Sequence, residues 1–133
     1  MATNKAYQTY QNNAVTTASG GELTLMLYNG CMKFIKQAMK EIHAKNYEAK
    51  NTNIQKAQNI IQELMITLDP KVEISNQILP LYEYIHFQLK EANIKNDAGL
   101  LEEALGLVTE FRDTWKQVIL KTRQKQYTQG AQV

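Results

Sequence analysis

Apolar residues recur at spacings of three and four through four successive blocks of this chain, and no stretch of four or more residues alternates convincingly. That period belongs to amphipathic helices, so the sequence predicts an all-α protein. The blocks run over about 21–44, 47–68, 76–93 and 98–122, separated by breaks at 45–46, 69–75 and 95–97. Connections this short make successive helices antiparallel neighbours. The expected architecture is an antiparallel up-down four-helix bundle over residues 21–122. An N-terminal arm, 1–20, is expected to pack on or over the bundle, and a flexible tail to follow at 123–133.

The first helix has unusual breadth. Leu23, Leu27, Cys31, Phe34, Ala38 and Ile42 form one apolar row, and Leu25, Tyr28, Met32, Ile35 and Met39 form a second beside it. The combined arc is roughly twice the ~100° stripe of an ordinary surface helix. It must be covered on two sides, in part by the arm or by a partner. Ser19 and Glu22 have the spacing of a capping box at its start. Asp69-Pro70 ends the second helix, because the residue before proline leaves the α region. Pro80 belongs near the first turn of the third helix or marks a kink. Asp97 is placed to cap the fourth.

At 133 residues, with 44% hydrophobic and 21% charged residues, the chain suits one domain with a real core. The net charge of +2 is too small and too mixed for a nucleic-acid binder. Cys31 is the only cysteine, so no disulfide can form within the chain; one free thiol fits a reducing cytosol. Residues 1–15 lack a secretory apolar region, and no run approaches the ~18 apolar residues of a membrane span. The 11 Asn and 13 Gln make the polar surface largely uncharged amide.

Catalytic signals are weak. Glu83 and His86 form one E-x-x-H, whereas bundle di-metal sites need two copies and further carboxylates. Both flank the Tyr82/Ile85 stripe, as a solvated pair at the bundle edge does. Cys31 lies inside an apolar row, away from the positive surroundings that activate a thiolate. Gly20-Gly21 opens a helix but is no phosphate cradle. Lys33, Lys36 and Lys40 share one side of the first helix, a pattern that suits a solvated face better than membrane binding. No enzyme, metal or cofactor is predicted. The broad apolar arc and the flexible Met26, Met32, Met39 and Met65 favour partner binding.

Five ordered segments resemble one family. They are Tyr7-x-x-Tyr10; Glu22-Leu23 with Met26-Leu27-Tyr28-Asn29-Gly30; Lys56-Ala57-Gln58-Asn59-Ile60-Ile61-x-x-Leu64; Leu81-Tyr82-x-Tyr84 with Leu89-x-x-Ala92-Asn93-x-x-x-Asp97; and Phe111-Arg112-Asp113-x-Trp115-Lys116. Together they resemble the flagellin-specific export chaperones, the FliS family, over about residues 7 to 120. Gly20-Gly21-Glu22 stands where that family commonly has Pro-Gly-Glu, and Pro80 interrupts a stretch that usually continues.

The resemblance implies a cytosolic, non-catalytic chaperone without nucleotide or metal. It would bind the disordered C-terminal segment of flagellin, block premature polymerisation and deliver the cargo to the type III export gate. The alternative is a helical adaptor for another secretion component. A tail that folds on binding must bury much apolar surface to offset its ordering, so binding should be only mildly salt-sensitive. The predicted cargo contacts are Tyr7, Tyr10, Leu23, Met26, Ile54, Ile61 and Val108. The arm, through Tyr7 and Tyr10, is expected to cover part of this surface and move aside for cargo. The same surface would serve a homodimer. Tyr28, Tyr82, Leu89, Phe111 and Trp115 are expected in the core, with Asn93, Asp97 and Arg112 as cap and network residues.

Overall fold

The computed structural model describes residues 20–131, with side chains over 21–122. Its four helices are α1 (Gly20–His43), α2 (Tyr47–Thr67), α3 (Glu73–Lys95) and α4 (Ala98–Ala131). Each packs against the next, and α4 closes the ring on α1. This is the predicted all-α four-helix bundle. Ser19 of the proposed capping box, Tyr7 and Tyr10 lie outside the described residues.

The reversals follow from local chemistry. Lys45, with φ of 60°, turns the chain out of α1 in the left-handed region. Asn46 then caps α2 by accepting from the Ala49 N–H at 3.3 Å. At the exit of α3, Asn96 adopts φ of 53°, and the Asp97 N–H bonds back to the Ala92 carbonyl at 3.1 Å. Asn tolerates this conformation better than most residues. The Asp97 carboxylate accepts from Gly99 N–H at 2.8 Å and Leu100 N–H at 3.3 Å, as expected of the α4 cap.

Two boundaries differ from those expected. The third helix begins at Glu73 rather than 76, which leaves Pro80 two turns inside it. A proline there deprives the Asn76 carbonyl of its helical partner. Both residues are exposed, so water can satisfy that carbonyl and the helix continues. The fourth helix runs on to Ala131 and takes in most of the stretch expected as a tail. Gln, Lys and Arg are good helix formers, and nothing in 123–129 breaks the helix.

The core is aliphatic. Ile35, Ile54, Ile60, Ile61, Leu64, Ile85, Leu89, Leu101 and Val108 are fully buried. Burial of each such side chain stabilises the fold by roughly 1.5–3 kcal/mol before conformational entropy is subtracted. Among the described residues, no buried side-chain nitrogen or oxygen lacks a hydrogen-bond partner.

Candidate functional site: apolar surface on a polar-pinned bundle

Three polar clusters fix the bundle. Lys50 is buried near the start of α2, and its ammonium donates to the Asn93 carbonyl at 2.9 Å and to Asn93 Oδ1 at 2.8 Å. Asn93 in turn donates to Asn51 Oδ1 at 2.7 Å. Burial holds the Lys50 ammonium below its ordinary pKa. On α3, buried Gln88 donates to Glu103 Oε2 at 2.6 Å, and the Tyr84 hydroxyl donates to Glu103 Oε1 at 2.6 Å. On the α1–α4 seam, the Trp115 indole N–H donates to the Gly21 carbonyl at 2.8 Å. Arg112 binds Asn29 Oδ1 at 3.3 Å and Asp113 at 2.7 Å. Asn93, Asp97 and Arg112 are therefore the cap and network residues expected.

Burial pushes the Cys31 thiol up to about 12, and its Sγ lies 3.8 Å from the Ala57 carbonyl. A thiol so held is not a nucleophile at neutral pH. His86 faces the Gln62 amide at 3.4 Å, while Glu83 is exposed. Burial, followed by the charge of Lys90, keeps His86 below its ordinary pKa. Among the described residues no group of three or more His, Cys, Asp or Glu is placed to hold a metal ion.

The arrangement does offer apolar surface, though not all where expected. Both rows of α1 are largely taken up by α2 and α4: Leu27, Tyr28, Cys31, Met32, Ile35 and Ala38 are buried. Leu23, Leu25 and Met26 in the first turns stay half-open, as do Phe34, Met39 and Ile42 further along. Ile54, Ile61 and Val108 correct the predicted contacts. At 0–1% exposure they are core residues and present no surface to a partner. Tyr28, Tyr82 and Leu89 are core as expected, whereas Phe111 and Trp115 are half-buried against it.

Sequence reasoning missed the outward side of α3. Phe87 is 53% exposed and Ile94 66% exposed, with Tyr84 one turn before Phe87. Spacings of three and seven put the three on one outward row. Large apolar residues falling off the core stripe at helical spacing were the available signal.

A family model described as flagellar protein FliS matches residues 2–122. The chain belongs to the FliS family. Among FliS relatives, the flagellar secretion chaperone FliS of Bacillus subtilis (strain 168) is 51% identical, over 98% of each chain. The flagellar secretion chaperones FliS of Salmonella typhimurium and Escherichia coli are 35% and 32% identical, covering 86% and 81% of this chain and 87% and 82% of their own. A solved structure described as a flagellar chaperone from bacteria superposes with a TM-score of 0.72 at 16% identity. It covers 88% of this chain and 97% of that one, a likeness of fold. FliS membership places the chain among the flagellar secretion chaperones. No helix among the described residues is long and apolar enough to cross a membrane.

Proposed function

We propose that this FliS-family chain binds the C-terminal segment of flagellin in the cytosol, prevents its polymerisation and hands it to the flagellar export gate, without catalysis, metal or nucleotide. The observation that carries this function is the exposed apolar row of Tyr84, Phe87 and Ile94. Large apolar side chains left in water on one helix face mark interaction surfaces, here with the Glu91–Lys95 ion pair between Phe87 and Ile94, and an amphipathic segment seats on such a face by the helix-in-groove mode. Leu23 and Met26, half-exposed on α1 at the opposite corner of the bundle, supply a second contact that a long segment reaches by wrapping. Tyr7 and Tyr10 belong to the same proposal, as the arm that yields to cargo.

Calorimetric titration with a synthetic flagellin C-terminal peptide tests the proposal. Binding with a large negative heat-capacity change is expected, the sign of apolar burial coupled to folding. Absence of binding by the folded chain would overturn it.

A further inference from the structure

On the side of α1 turned from the core, Asn29, Lys33, Lys36 and Lys40 follow one another at spacings of four, three and four, a line of ~16 Å. Arg112 reaches in from α4, Gln37 lies alongside, and Met32 forms the floor of a depression of about 340 Å³. Among the described residues, none of the three lysines is paired with a carboxylate. Of the acids of these turns, Asp113 pairs with Arg112 and Glu41 accepts from Gln37 at 2.7 Å, which leaves the three lysines uncompensated. Residues 1–19 and 123–133 contain no Asp or Glu side chain at all. Lys56, whose ammonium lies over the Phe34 ring at 5.2 Å, adds to the positive field. Its pKa is lowered by burial and then by Lys33.

An uncompensated line of cations attracts a complementary line of anions. We propose that this strip docks an acidic segment of a partner protein, its carboxylates set against Lys33, Lys36 and Lys40. Three features select a peptide. No aromatic side chain lines the depression, so stacked single-stranded bases have no platform. The apolar rows of α1 face the core, so the strip is not the polar side of a membrane-seated helix. Its cations are strung out over several turns, unlike the tight cluster that grips one phosphate.

This site is separate from the apolar row on α3 and stands or falls independently of flagellin binding. The isotope-labelled full chain is titrated with a short poly-glutamate peptide and followed by NMR. Amide shifts at Asn29, Lys33, Lys36 and Lys40 are expected. A Lys33→Gln/Lys36→Gln/Lys40→Gln variant, verified as folded by circular dichroism, should bind about tenfold more weakly. Absence of shifts, or equal affinity of the variant, would overturn the proposal. So would inorganic phosphate, phosphatidylglycerol vesicles or an oligonucleotide that saturates the same amides at lower concentration than the peptide.

Discussion

The hydroxyls of Tyr28 and Tyr82 meet at 2.5 Å inside the bundle, and the Phe111 ring packs against both, with centroids at 6.0 Å and 5.2 Å. Each phenol is the other's partner in an apolar setting. Tyr82→Phe therefore leaves the Tyr28 hydroxyl buried and unpaired, at a cost of about 1–3 kcal/mol. The double variant Tyr28→Phe/Tyr82→Phe should recover most of that loss. Urea unfolding of the four members of the cycle checks this, and simple additivity of the two single losses would contradict it.

Stability should fall in alkali. Burial holds both phenols above their ordinary pKa and raises the Cys31 thiol to about 12. For each, the folded state prefers the neutral form. The contribution is complete below the unfolded value and is lost as pH rises through the folded one. For Cys31 the loss begins near pH 9 and runs to about 12, and for the tyrosines it begins near 10. Urea midpoints across the alkaline range should decline from about pH 9. At neutral pH, thiol labelling should follow the rate of opening rather than that of mixing.

Asn93→Ala should cost about 2–3 kcal/mol, because it removes a side-chain acceptor of the buried Lys50 ammonium. Lys50→Met in the same background should restore part of the loss by removing the charge. Thermal melts of the single and double variants would show it, and a further loss in the double would refute it.

Surface and core substitutions should separate cleanly. Phe87→Ser/Ile94→Ser should shift stability by only ~0.5 kcal/mol per site while weakening flagellin-peptide binding. Ile61→Ala should cost about 2–5 kcal/mol of stability, since its side chain is fully buried. Paired unfolding and calorimetry on both variants decide this, and unchanged peptide affinity in the first would move the cargo site off α3.

Trp115 is half-buried rather than enclosed, and its indole N–H holds the Gly21 carbonyl. Trp115→Phe should cost about 1 kcal/mol through that lost bond. Gly21→Ala places its new carbon 3.5 Å from Ile119, an ordinary contact, and should stabilise by about 0.5 kcal/mol through the helix preference of alanine. Denaturant midpoints test both signs.

The helices, their order and their short connections were legible because the apolar period is strong and Asp97 and Asp69-Pro70 are local signals. The start of α3 was not, since a proline rule read from sequence does not know that Asn76 and Pro80 face solvent. The reach of α4 was missed because amide-rich sequence suits an exposed helix as well as a loose end. At the candidate site, Leu23 and Met26 kept some surface, while Ile54, Ile61 and Val108 did not. A stripe position shows that a residue faces inward, not whether the neighbouring helix leaves a gap. Phe87 and Ile94 were passed over for the converse reason: they lie off the stripe that periodicity singles out.

The two left-handed reversals, Lys45 and Asn96, lie at the same end of the bundle as the Lys50–Asn93–Asn51 network. The far end has the longer 68–72 connection, an α3 start without a side-chain cap, and an α4 that outruns α1. Cohesion is thus graded along the long axis, as in a clothes-peg with its spring at one tip. Amide exchange should be slowest around Lys50 and Asn93 and quicken toward Gly21 and Glu73. A bundle graded this way should open first at the Gly21–Glu73 tip while its helices stay in register at the Lys50–Asn93 tip.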